Sequence, residues 1–291
     1  MSEEHKGLAA SCPPWAIIRN LLRIIVCLAL LSSTKGVFAA DSQGAEDPEL
    51  LLQRIRDHLA AHLSQLHNYT CHVAIDRLVQ GLSPSRLDQR DRAEFDVAFL
   101  GDRELFSKPG ESRFEHQSIN RVVQMGMIGD DILGSHDDDL FSSDVATLKY
   151  AGSCQKDGHK TFRYNFSVPK ASSRLFVSQA NSGNAMVGYQ GSFWVDSKSL
   201  DLVRLEWSAD DIPSSVGISQ VRRSMRYKVV RVGNSDFLLP IHSELTSFDR
   251  AGRYRLNVVS LERCLEYTGQ SVVTFGEPVQ GQRHDAARPE P

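Results

Sequence analysis

His58 and His62, in the run HLAAH, stand four residues apart, a spacing that puts two imidazoles on one face of a helix. Such a pair is part of a metalloprotease signature. That chemistry also needs a glutamate beside the first histidine as general base, and Leu59 occupies the place. A simple zinc pair is one reading; the two histidines flank an apolar stripe, and the favoured reading is its solvated edge. A second cluster, GDDILGSHDDDLFSSD, gathers Asp130, Asp131, His136, Asp137, Asp138, Asp139 and Asp144. Its acidic density suits a hard cation, but an EF-hand loop needs alternating oxygen ligands, a central Gly and a terminal Glu, and that order is missing. A metal-dependent hydrolase would require three or more of His136, Asp137, Asp139 and another His or acidic residue to converge; a charged helix face or cap accounts for the same residues. Ser135, His136 and Asp137 are consecutive, and consecutive side chains point in different directions, so they do not make a triad. No G-x-S-x-G elbow, nucleophilic-cysteine motif or phosphate-binding loop occurs. The chain therefore reads as a non-enzyme with no catalytic residue, metal or cofactor.

The ends of the chain bound where it works. Arg19 and Arg23 precede a short apolar run from Ile24 to Leu31, and small residues then lead to VFAAD. A charged start, a short apolar core and an A-x-A-like exit describe a secretory signal peptide over residues 1–40, cleaved near Ala39 or Ala40. The run is far below the roughly 20 residues a membrane-spanning helix needs. The whole chain of 291 residues carries a formal charge of −3. The leader holds Lys6, Arg19, Arg23 and Lys35 against Glu3 and Glu4, so its removal makes the balance more negative still. Without a dense positive field, nucleic acid is not an expected partner. A periplasmic or secreted location lets disulfides persist. Cys71, Cys154 and Cys264 remain after the leader, and an odd count leaves one unpaired or available to another chain. Cys71 opens the first expected strand and Cys264 lies in the last long one. A Cys71–Cys264 bridge would close nearly the whole domain; the alternative is three buried thiols.

The elements that position these residues follow from periodicity. In DPELLLQRIRDHLAAHLSQLH, Asp47 is a good N-cap and Pro48 a good first helical residue. Leu51, Leu52, Ile55, Leu59, Leu63 and Leu66 recur at three- and four-residue steps, one helical stripe. From Tyr69 the period becomes two. YTCHVAIDRLV, RAEFDVAFLGD, VATLKYAGSC, HKTFRYNFSV, RLFVSQ, AMVGYQGSFWV, LDLVRLEWSA, QVRRSMRYKVVRV, DFLLPIHSELTSF, YRLNVVSLERCLEY and SVVTF all read as strands. The stretch from Arg113 to Asp144 lacks that alternation and reads as short helices with Gly-rich joints. One domain over 47–276 is expected, with a polar tail over 277–291. Its class is α+β, a large curled antiparallel sheet (an incomplete β-barrel) wrapping helices.

The most patterned segment is GYQGSFWVDSKSLDLVRLEWSAD, residues 188 to 210. Tyr189, Phe193 and Val195 share one face of a first strand; Val203, Leu205 and Trp207 share one face of a second. Asp196 opens the connection, where a carboxylate caps backbone amides. A Trp-x-Asp turn followed by an apolar-Arg-apolar strand resembles the periplasmic lipoprotein-carrier superfamily of LolA-like and RseB-like half-barrels. The leading helix that flows into LHNYTCHVAIDR and the later MRYKVVRVGNSDFLLPIHSEL fit the same resemblance.

That resemblance implies a half-barrel closed by helices over an apolar cavity that binds acyl chains or lipid-modified polypeptides without chemistry. Carried onto this chain, Phe95, Val97, Phe99, Phe193, Val203, Leu205 and Trp207 would line the cavity. A lid would run from Ile119 through Val122, Met125, Ile128, Ile132 and Leu133 to Phe141. The expected function is an exported, non-catalytic binding protein for a hydrophobic or lipidated ligand, with peripheral membrane contact. The alternative is an RseB-like sensing or interaction module with an envelope protein as partner.

Overall fold

Asp47 begins the leading helix, α1 (Pro48–Ser64), as its carbonyl accepts from Leu51 N at 2.9 Å and its carboxylate from Glu49 N at 3.0 Å. Leu51, Ile55 and Leu59, one per turn, are buried. In the computed structural model, residues 47–64, 69–80, 87–100, 103–111, 113–114, 140–141, 145–179 and 182–267 are described. Among them α1 is the one complete α-helix, and no helix is long and apolar enough to cross a membrane.

Twelve strands follow: β1 (Tyr69–Gln80), β2 (Leu87–Leu100), β3 (Arg103–Ser107), β4 (Thr147–Lys156), β5 (His159–Val168), β6 (Phe176–Ser178), β7 (Asn184–Met186), β8 (Tyr189–Asp196), β9 (Leu202–Ala209), β10 (Ile218–Val232), β11 (Ser235–Asp249) and β12 (Tyr254–Glu266). Ten form one antiparallel sheet in the order β3-β2-β1-β12-β11-β10-β9-β8-β5-β4, and β6 and β7 make a separate ribbon. The sheet is not closed, because β3 and β4 are its two edges. Among the described residues the class is mostly β with one helix, and the large open antiparallel sheet is as expected; the helices expected between Arg113 and Asp144 fall almost wholly outside the described residues. SVVTF and the tail also lie outside them.

Cross-strand register builds the core. Tyr150, Tyr164, Phe193, Leu205, Met225, Ser243, Val259 and Ile75 are successive partners from β4 to β1, so they share one face. The adjacent row, Asn165, Ser192, Glu206, Ser224 and Glu244, falls on the other face. One face is thus apolar and one polar. The apolar face carries two clusters. The first joins Leu51, Ile55 and Leu59 of α1 to β5, β8, β9 and β10, with Leu140 and Phe141. The second joins β1, β2, β3, β11 and β12 through Val73, Ile75, Phe95, Val97, Phe237 and Leu239, and contains no residue of α1.

Local irregularities have local causes. The run AMVGYQGSFWV is two strands, not one, broken at Val187–Gly188. A Cβ on Gly188 would stand 2.9 Å from the Val168 carbonyl oxygen, so the backbones approach too closely for a side chain. Pro240 sits inside β11, where the register with β10 slips between Arg226 and Tyr227, and β12 pairs with β11 only from His242 onward. The missing N–H of proline is thereby kept out of the ladder. On β12, Arg263 and Cys264 together face Cys71 of β1, with Arg263 in the left-handed region at φ 49°. At that bulge Cys71 and Cys264 form the expected disulfide, 193 residues apart in sequence.

Candidate functional site

The hairpin of β8 and β9 is organised by Asp196. Its Oδ1 accepts from Lys198 N at 2.8 Å and Ser199 N at 3.2 Å, and its Oδ2 lies 2.8 Å from His159 Nδ1. Burial alone would raise this carboxyl, yet the two amides and His159 together hold it below the ordinary carboxylate range. An acid held ionised by a turn it caps is a structural device, not a proton donor. Phe193 points to the apolar face, stacked on Tyr164 at 5.2 Å and edge-on to Phe141 at 5.1 Å. Trp194 points the other way, is 3% exposed, and lies beneath Lys156 Nζ at 4.2 Å and the Arg163 guanidinium at 5.4 Å.

The residues expected to line a cavity occupy both clusters. Phe193, Leu205 and Trp207 are buried in the first, and Phe95 and Val97 in the second. Phe99 is half-buried and stacks on Tyr69 at 4.6 Å, which in turn stacks on Phe237 at 5.9 Å. Val203 is buried but belongs to neither cluster: the register slips between Trp194 and Val195, so Leu202, not Val203, stands opposite Val195. Of the lid, Phe141 is buried in the core, while Ile119, Val122, Met125, Ile128, Ile132 and Leu133 lie outside the described residues. So do His136, Asp137 and Asp139.

A cavity of about 520 Å³ opens on the polar face, lined among others by Arg163, Ser192, Glu206, Arg222, Ser224 and Glu244. Glu206 in its wall is paired with two cations. Glu206 Oε1 accepts from Arg204 Nε at 2.6 Å and Lys156 Nζ at 3.1 Å, and Arg204 also donates to Ser224 Oγ at 2.8 Å and Asp157 Oδ2 at 3.1 Å. Burial works against the Arg204 cation, but Glu206 and Asp157 raise its pKa above the usual value. Arg163 is pushed down by burial, partly offset by Glu206, and donates to Ser192 Oγ at 3.1 Å. A carboxylate clamped between two cations is a fixed charge, so this network orients a polar surface.

One convergence was not foreseen. His58 and His62, expected at a solvated edge, both turn toward Asp201 at the end of the β8–β9 turn. Asp201 Oδ1 is 2.8 Å from His58 Nε2 and 3.5 Å from His62 Nε2, and all three side chains are half-buried or better. Cys154, at the β4 edge, has its Sγ 3.8 Å from Thr161 Oγ1.

No family model matches the sequence, and no curated protein matches it. Similar solved structures include a LolA superfamily protein from Nitrosomonas europaea, at 10% identity and TM-score 0.39, covering 75% of this chain and 94% of that one. A DUF1329 family protein from Desulfovibrio piger is similar at 10% identity and TM-score 0.40, covering 77% and 95%. The lipoprotein LppX of Mycobacterium tuberculosis is similar at 13% identity and TM-score 0.28, covering 76% and 98%. These are likenesses of fold alone, and the superfamily that the Trp-x-Asp hairpin resembles is among them.

Proposed function

We propose that this chain is a non-catalytic binding protein of the cell envelope that takes a hydrophobic or lipidated ligand on the apolar face of its sheet. The observation that carries the reading is the mismatch, among the described residues, between that face and its helix. At about 4.8 Å per strand, ten strands span on the order of 43 Å, whereas a helix of 17 residues is roughly 25 Å long. The second apolar cluster, with its Tyr69–Phe99–Phe237 stack, lies beyond α1. An acyl chain packed there would meet the half-buried Phe99, with the buried Phe95 and Val97 beneath it, while Phe193, Leu205 and Trp207 form the floor under the helix. The Cys71–Cys264 disulfide supports an oxidising compartment.

A long-chain acyl fluorophore, cis-parinaric acid, tests the reading. Saturable binding is expected, at least tenfold weaker in Phe99→Asp with the strand content unchanged by circular dichroism. Absence of saturable binding to the wild-type chain overturns it.

A second reading, an interaction module that adds a partner's strand, draws on β4, a ten-residue edge strand with Tyr150 exposed. Lys149 and Lys156 and the irregularity between Tyr150 and Ser153, with Gly152 at φ 95°, are devices that discourage edge pairing, so this reading ranks second. A pull-down from envelope extract that returns no specific partner removes it.

A further inference from the structure

We infer that His58, His62 and Asp201 form a binding site for one divalent transition-metal ion, zinc foremost, that fastens α1 to the β8–β9 turn. Their donor atoms lie within 4.8 Å of one another. At metal–ligand bonds of about 2.0–2.1 Å, neighbouring ligand atoms stand roughly 2.9–3.4 Å apart, between octahedral and tetrahedral edges. The Asp201 Oδ1 distances of 2.8 Å to His58 Nε2 and 3.5 Å to His62 Nε2 bracket that range. The two rings are 4.6 Å apart and inclined by 71°, which lets both nitrogens aim at one point without stacking.

A plain hydrogen bond explains only half of this arrangement. His58 is satisfied by Asp201 at 2.8 Å. His62 is not: its Nε2 is too far from Oδ1 for a good hydrogen bond, and its Nδ1 is buried without a partner. An imidazole turned inward with neither nitrogen well bonded is poorly explained by packing, since a leucine would fill the space without a polar atom. A cation between the three groups gives Nε2 a bond and makes the inward turn favourable. Two imidazoles and one carboxylate are the donor set of borderline metals, and three protein ligands leave at least one position for water or an anionic group. The buried, unpartnered Nδ1 of His62 means that one ring lacks the outer acceptor that usually orients a ligand. Affinity some 10–100-fold below a fully supported site follows.

The ion would join a helix and a turn that the chain separates by 143 residues between His58 and Asp201. Its first effect is therefore on how firmly α1 holds the sheet, independent of any apolar ligand. The test uses the full chain, freed of any affinity tag and chelator-treated, titrated with Zn²⁺ by calorimetry and followed by thermal unfolding. One equivalent and a higher midpoint are expected. His58→Gln, His62→Gln and Asp201→Asn should each weaken binding at least tenfold, while His242→Gln leaves it unchanged. X-ray absorption at the zinc edge of the wild-type complex, which needs no variant to fold, should show scattering from two imidazoles. No stoichiometric binding, undiminished binding in the three variants, or a zinc shell without imidazole overturns the site.

Discussion

Asp196 and Asp249 each hold a hairpin turn with one carboxylate. Asp249 Oδ1 accepts from Arg253 N at 2.8 Å and Oδ2 from Arg253 Nε at 2.6 Å, and its side chain is 3% exposed. Burial raises its pKa, but the hydrogen bonds and charge of Arg253 outweigh it and leave the group below its ordinary value. A carboxyl depressed in the folded state stabilises above its unfolded pKa near 3.9, and that stabilisation is lost as pH falls through the folded value. Asp249→Ala should thus cost about 2–3 kcal/mol in urea unfolding at pH 7, with the gap to wild type narrowing below about pH 4. Trp194 is the other residue whose role the structure sharpens. Buried under Lys156 and Arg163 on the polar face, it should cost about 3–5 kcal/mol as Trp194→Ala, and far less as Trp194→Phe, which keeps a ring beneath the cations. Either outcome is read from chemical-unfolding midpoints.

Among the elements, the strands of the β8–β9 hairpin were legible because alternation is a direct image of a sheet with one apolar face. The Val203 to Leu202 exchange was not, because a bulge moves the register by one residue with no change in composition. The same limit hid the break at Gly188, where an apolar run continues across a backbone contact that only the fold creates. Gly191 lies in the same hairpin: a Cβ there would stand 1.9 Å from the Glu206 carbonyl oxygen. Gly191→Ala must therefore push β8 from β9, and a loss of more than about 3 kcal/mol, or failure to accumulate as soluble protein, is expected. The disulfide was legible from position, since Cys71 and Cys264 sit in the first and last described strands of the chain, which pair side by side in the sheet. Closing a loop of 193 residues, it should contribute between about 2 and 5 kcal/mol, measured as the drop in unfolding midpoint of the Cys71→Ser/Cys264→Ser variant. The His58–His62–Asp201 convergence was invisible in sequence, because a helix spacing reveals two ligands and nothing marks a turn aspartate as the third.

At the scale of the whole molecule, one topological fact governs the rest. β3 and β4 are consecutive in the chain but lie at opposite edges of the sheet, so the segment between them links one edge to the other. Its described end, Leu140 and Phe141, is buried on the apolar face beside Phe193. That face is wider than the one helix described upon it, and the proposed apolar ligand rests on that excess. The measurement that tests this most directly is native mass spectrometry of the protein purified from its own envelope, paired with organic extraction of the same sample. The account predicts a mass above that of the polypeptide, removed by denaturation and recovered as an acyl-bearing molecule in the organic phase. A mass equal to the polypeptide alone, with no lipid in the extract, would contradict it.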